Sequence, residues 1–214
     1  MICVSIAEAD FSACLNLIKQ YEFIELRLDA GDFTITQIEK LIGSAKRAIV
    51  TFRAGKFDLQ FRATALSAAI HAGASFIDIE VDSPGDFRTE LIKKAKAGNC
   101  KVILSHHDFE STPDRSSLEN ILHECYTKDA DIAKIACQVN SFEDNVRLLS
   151  LYSKAGSKVV LGMGELGRIT RIAALYLGAE FSFASPDNGN PTASGQLSIK
   201  EFQELQNILN LKTK

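Results

Sequence analysis

No stretch rich in proline, glycine or charge divides the 214 residues, so nothing in the sequence marks a linker between domains. No apolar run approaches the roughly 20 residues that a membrane-spanning helix requires. The first residues lack the basic-then-apolar pattern of a secretory signal, which makes the cytoplasm the expected location. Neither sign of charge dominates, since 24 basic against 27 acidic side chains leave a formal net charge of −3. That balance offers no footprint for nucleic acid or an anionic membrane, and the expected partner is a small molecule. No Cys-x-x-Cys pair occurs either. Cys3, Cys14, Cys100, Cys125 and Cys137 are scattered and odd in number, which argues against a zinc site and reads as reduced core filler.

What the chain does have is 46% hydrophobic residues, enough for one large core across 1–214. Short β-branched runs fall at 2–5, 23–28, 48–53, 75–81, 101–107, 131–136, 158–163 and 180–184. Amphipathic stretches of helical period lie between them, at 38–45, 64–72, 91–97, 118–126 and 142–152. A capping box, Ser198-Ile199-Lys200-Glu201, announces a last helix bearing Phe202, Leu205, Ile208 and Leu209. Eight strand-then-helix units favour a single-domain α/β fold, a (β/α)8 TIM barrel, over an open doubly wound sheet. In such barrels the active site forms at the C-terminal ends of the strands.

One lysine stands out inside an apolar run, Asp131-Ile132-Ala133-Lys134-Ile135-Ala136. Lysines are rarely buried without a partner, and a long stem at a strand end can carry its charge back to water. Desolvation, by contrast, lowers a lysine's pKa and yields a neutral amine able to attack a ketone. Lys134 is therefore either a snorkelling surface charge or a covalent catalyst.

Alternation along the strands tests which polar residues share a face. Glu25 and Arg27 alternate with Ile24, Leu26 and Leu28, and Thr51 and Arg53 alternate with Val50 and Phe52. Asp78 and Glu80 repeat the pattern, His107 shares its parity with Ile103 and Ser105, and Ser5, Lys134 and Ser182 complete the set. His106 falls on the other face with Leu104, as a packed or solvent-edge residue. A barrel interior is ordinarily filled by branched apolar side chains, so this much polarity points to a buried site. For Asp78 and Glu80 an ion network that only holds the strands together is the competing reading.

Seven segments in order resemble the type I 3-dehydroquinate dehydratases. They are Glu25-Leu26-Arg27-Leu28-Asp29, Thr51-Phe52-Arg53, Asp78-Ile79-Glu80, His106-His107-Asp108-Phe109, Asp131 to Ala136, Gly167-Arg168-Ile169-Thr170-Arg171 and Ala193-Ser194-Gly195-Gln196. The resemblance implies a homodimeric (β/α)8 barrel that converts 3-dehydroquinate to 3-dehydroshikimate and water, with no cofactor and no metal. It implies that Lys134 forms an imine with the substrate ketone, that His107 shuttles the proton and that Glu80 orients His107. Arg171, Thr192 and Gln196 would hold the substrate carboxylate, and Glu25, Arg27 and Arg53 the ring hydroxyls. Ser5, Met163, Phe109 and Ala193 would line the pocket.

The chain departs from that family in two loops. Lys56-Phe57-Asp58-Leu59 stands where the family often has Glu or Gln before Gly-Gly, and Ser194 and Thr192 stand where it tends to have proline and serine. The segment 184–196, rich in Ser, Pro, Asn and Gly, reads as a mobile lid or as an ordinary surface loop.

Gly162-Met163-Gly164-Glu165-Leu166-Gly167 has dinucleotide-fingerprint spacing, but it lies at the seventh strand with no acidic strand end following at the required distance. It could instead mark a phosphate site, which would suit a Schiff-base aldolase acting on a sugar phosphate. A catalytically silent barrel serving as a binding protein is the third reading.

Overall fold

The computed structural model describes residues 1–187, 189 and 191–209. Among the described residues, eight parallel strands alternate with helices. They are β1 (Ile2–Ile6), β2 (Ile24–Arg27), β3 (Ala48–Thr51), β4 (Phe76–Glu80), β5 (Lys101–Asp108), β6 (Ile132–Gln138), β7 (Lys158–Met163) and β8 (Ser182–Ala184). The helices that follow them are α1 (Phe11–Ile18), α2 (Ile35–Gly43), α3 (Leu59–His71), α4 (Gly85–Ala97), α5 (Arg115–Thr127), α6 (Phe142–Ser150), α7 (Arg168–Leu177) and α8 (Ile199–Ile208). The strands form one sheet in the order β7-β6-β5-β4-β3-β2-β1-β8, which is the (β/α)8 class the alternation implies.

The chain divides into two compact units, one of residues 5–104 and the other of 1–4 with 105–214. In the first, β2, β3 and β4 pair consecutively, with Arg27 opposite Thr51 and Thr51 opposite Asp78. In the second, β6 pairs with β7, placing Lys134 opposite Val159, and Cys3 of β1 pairs with Phe183 of β8.

Several helices begin where the sequence supplies a side-chain acceptor for the orphan N–H groups of a first turn, although α4 and α7 start without one. Asp10 caps α1 at Ala13 N, Asp58 caps α3 at Phe61 N, and Asp114 caps α5 at Ser117 N. Thr34 and Gln37 close a capping box on α2, and Ser198 and Glu201 close one on α8, as the sequence motif leads one to expect. Phe202 of α8 packs with Ala184 and Leu197, fastening the last helix to the end of β8. All five cysteines are buried free thiols, as core fillers would be. No helix among the described residues is long and apolar enough to cross a membrane.

Several strands end earlier than their β-branched runs. β3 stops at Thr51, so Phe52 and Arg53 belong to the turn into α3 rather than to the strand. The run at 180–184 shortens to three residues, and the helical stretch 142–152 ends at Ser150 before a 3-10 turn over Leu151–Ser153.

Candidate active site

In the unit of residues 5–104, parity along the strands brings polar groups together as alternation demands. Ser5 Oγ donates to Glu25 Oε2 at 2.7 Å, and Thr51 Oγ1 donates to Glu25 Oε1 at 2.8 Å, so three strands contribute to one buried carboxylate. Arg53 Nη1 pairs with Asp78 Oδ1 at 2.8 Å, and the Asp78 side chain is wholly shielded from solvent. Arg27 grips Asp29 with a fork, Nε to Oδ1 at 3.0 Å and Nη2 to Oδ2 at 2.7 Å. Asp29 Oδ1 also accepts from the Arg53 backbone N–H at 3.4 Å.

These charges compensate one another. Burial works against the Arg27 cation, but its hydrogen bonds to Asp29 and the attraction of Glu25, Asp29 and Asp78 hold its pKa above the ordinary guanidinium value. Burial likewise opposes the Asp29 carboxylate, and the Arg27 fork with the Arg53 N–H outweighs it, leaving the carboxyl below its ordinary range. Around Arg53 the burial cost is overcome by Asp78, with Glu80 and Glu25 adding to it. Glu80, half-buried as the last residue of β4, lies within the field of Arg53.

In the other unit, Lys134 is 6% exposed, and its Nζ lies 4.3 Å from the centroid of the Phe183 ring. A snorkelling lysine would leave its head in water, and this one lies over an aromatic face instead. His107 stacks on Phe109, the centroids 5.9 Å apart and the planes 11° from parallel. His106, on the opposite parity, has a buried Nε2 with no hydrogen-bond partner among the described residues. Ser182 Oγ is in the same condition on β8.

Arg171, on α7, is a buried charge with little compensation among the described residues. It is 2% exposed, its Nη2 donates to Ser194 O at 3.4 Å, and its buried Nε has no partner among the described residues. Burial pushes its pKa down to about 10, with the positive charge of Arg168 acting in the same direction. No acidic side chain among the described residues pairs with it. The chain just beyond is closed on itself, since Gln196 Oε1 accepts from both Thr192 N (2.7 Å) and Thr192 Oγ1 (3.1 Å). Ser194 O also accepts from Gly164 N at 3.2 Å, tying this end of the 184–196 segment to the turn after β7. Residues 188 and 190 of that segment lie outside the described residues.

The glycines of the 162–167 run have a packing role. A Cβ on Gly167 would lie 2.5 Å from the Gly162 carbonyl carbon, and Gly164, at φ +80°, would place one 2.5 Å from Gln138 Nε2. Thr170 Oγ1 bridges the two ends, accepting from Gly162 N at 2.7 Å and donating to Gly167 O at 2.6 Å. Close approach of strand and helix thus accounts for the spacing.

The divergent loop after β3 is held by aromatic packing. Phe57 meets Phe52 edge-on at 5.1 Å and stacks on Phe61 at 5.5 Å, while Lys56 pairs with Asp32 at 2.8 Å. Arg62, in the first turns of α3, is buried beside this cluster and escaped the sequence reading, whose helical stretch began two residues later. The capping Asp58 was the signal that could have extended that helix backwards.

Residues 2–213 match the family model for type I 3-dehydroquinase. The chain is similar to a 3-dehydroquinate dehydratase of Methanococcus maripaludis, 33% identical over 98% of this chain and all of that one. It is similar to another from Methanocaldococcus jannaschii, 30% identical over 99% of this chain and all of that one. Among solved structures it resembles the 3-dehydroquinate dehydratase of Aquifex aeolicus, with a TM-score of 0.86 and 27% identity across 99% of this chain and all of that one. A match that spans both units, in a chain with the expected fold, makes this enzyme a member of the type I 3-dehydroquinase family, carbon–oxygen lyases that act as 3-dehydroquinate dehydratases.

Proposed function

We propose that the chain dehydrates 3-dehydroquinate to 3-dehydroshikimate through an imine on Lys134, acting in the cytoplasm as a homodimer of single-domain barrels. The Lys134 amine adds to the ring ketone and loses water, and the resulting iminium draws electrons from the neighbouring carbon. His107 removes the proton from that carbon, and the electron pair expels the ring hydroxyl further along as His107 returns a proton to it. Hydrolysis of the imine then releases the conjugated enone and restores Lys134. Glu80 fixes the tautomer and orientation of His107. Ser5, Glu25, Arg27 and Arg53 meet the ring hydroxyls, and Arg171, Thr192 and Gln196 hold the carboxylate.

The observation that carries this reading is Arg171. A buried guanidinium with an unmatched Nε is costly, and a bidentate carboxylate would relieve that cost. It also weighs against a sugar-phosphate aldolase, because barrel phosphate sites lean on backbone amides at a helix N-terminus. The homodimer and the location rest on the family resemblance and on composition.

The test is to incubate the protein with 3-dehydroquinate, follow the absorbance of the enone, and trap the imine with borohydride. Turnover, together with one ligand mass on Lys134, is the expected result, and His107→Ala should abolish turnover while trapping persists. An adduct elsewhere, or none, overturns the mechanism. Glu80→Gln should slow turnover and move its pH profile, and an unchanged profile returns Glu80 to a structural network.

A further inference from the structure

The Phe52–Arg53 peptide bond is held from both sides. Its carbonyl oxygen accepts two hydrogen bonds from Arg62, from Nε at 3.2 Å and Nη2 at 2.9 Å. Its N–H, which belongs to Arg53, donates to Asp29 Oδ1, and Asp29 is in turn fixed by the Arg27 fork. In a trans peptide the C=O and N–H point in opposite directions, so gripping both stops the plane from turning. That plane carries the N–Cα bond of Arg53, so holding it fixes the direction from which the Arg53 side chain starts.

Arg62 is an expensive way to satisfy one carbonyl. It is 7% exposed, its guanidinium lies 5.3 Å from the Phe87 ring centroid, and it pairs with no acid among the described residues. Burial lowers its pKa, with Arg53 opposing its charge and Glu80 and Asp29 supporting it. A neutral donor could cap the Phe52 oxygen at less desolvation cost, but it would present one N–H where the fork presents two. The aromatic packing of Phe52, Phe57 and Phe61 restrains the same turn from its apolar side.

We propose that Arg62 is a positioning residue, which fixes the Phe52–Arg53 peptide so that the Arg53 guanidinium stays aimed at Asp78 and at the substrate hydroxyls. The inference rests on the reading that Arg53 contacts substrate. The contacts of Arg62 are the Phe52 carbonyl and the Phe87 ring, so in this role it acts only through Arg53. Its loss would act through Arg53, and misplacement of a positioning group by about 1 Å costs on the order of a hundredfold in rate.

A double-mutant cycle with the full chain separates this role from general support of the fold. Arg62→Met and Arg62→Lys are each made alone and with Arg53→Gln, and kcat and KM for 3-dehydroquinate are measured with the melting temperature of every variant. In the native background Arg62→Met should lower kcat/KM about tenfold or more, and Arg62→Lys less, in keeping with partial recovery of the grip. In the Arg53→Gln background the same changes should cost less than about twofold, because the group they aim is gone. Equal losses in both backgrounds, or no loss in the native one, overturn the role of Arg62. If Arg62→Met does not fold, Arg62→Lys carries the cycle by the same criterion. An Arg53→Gln variant with unchanged kinetics overturns instead the reading of Arg53, and absence of turnover in the unmodified protein overturns the dehydratase reading itself.

Discussion

The Nζ of Lys134 lies 4.3 Å above the ring of Phe183, so the proposed nucleophile of β6 is backed by an aromatic face on β8. A ring face attracts a cation. Phe183 is itself 4% exposed and meets Phe181 edge-on at 5.4 Å.

Replacing Phe183 by Leu should keep most of the volume and remove the ring. The expected cost is about 1 kcal/mol of stability, with borohydride trapping severalfold slower yet still confined to Lys134. Phe183→Ala should cost about 3–5 kcal/mol through the cavity it opens. Denaturant titration and mass spectrometry of the trapped protein measure both, and an unchanged trapping rate in Phe183→Leu would deny the ring any part in placing the amine.

Arg171→Met should separate stability from function. Removing a buried, uncompensated guanidinium in favour of an apolar chain of similar length is expected to raise stability by about 1 kcal/mol, while KM for 3-dehydroquinate rises about a hundredfold or more. A thermal melt and steady-state kinetics on one preparation suffice. Loss of stability would mean that Arg171 supports the fold rather than awaiting a carboxylate.

Asp29 predicts a pH dependence whose sign follows from its depressed carboxyl. Its ordinary value is 3.8, and the folded protein holds it lower, by hydrogen bonds that outweigh burial. The stability it contributes is therefore fully present above the unfolded value and is lost as pH falls through the folded one. The difference in stability between the native protein and Asp29→Asn should be constant near neutrality and shrink below about pH 4. Melts across that range check it, and a difference that persists undiminished to pH 2 would contradict the assignment.

Gly195 should not tolerate a side chain. At φ +72° it sits in the left-handed region, and a Cβ there would lie 2.3 Å from Gly164 O. Gly195→Ala is expected to cost more than about 1 kcal/mol and to raise KM, because Ser194 O, one residue back, receives both Gly164 N–H and Arg171 Nη2. Calorimetry and kinetics should move together.

Which polar side chains would meet in the first unit could be read in part from period alone. Alternation put Ser5, Glu25 and Thr51 on one side, and they meet there through hydrogen bonds because side chains of period two cannot change face without slipping the register. The imine role proposed for Lys134 rests on the family motifs, since no spacing rule distinguishes an imine-forming lysine from a buried one. Arg53 met Asp78 as its parity suggested, although β3 ends before it, so a turn rather than a strand aims its side chain. Arg62 was not legible, because a helical arginine two residues outside the apolar pattern looks the same whether it reaches water or a carbonyl ten positions back.

The sequence by itself determined the succession of strands and helices, the face each strand residue takes and the caps that start the helices, because these follow from contacts within a few residues. Only the tertiary structure decided which charges compensate one another and which do not. Arg27 has Asp29 and Arg53 has Asp78, whereas Arg171 meets a single carbonyl among the described residues. That difference is set by distances between groups far apart in the chain and by the water excluded around them, and neither is written in local pattern.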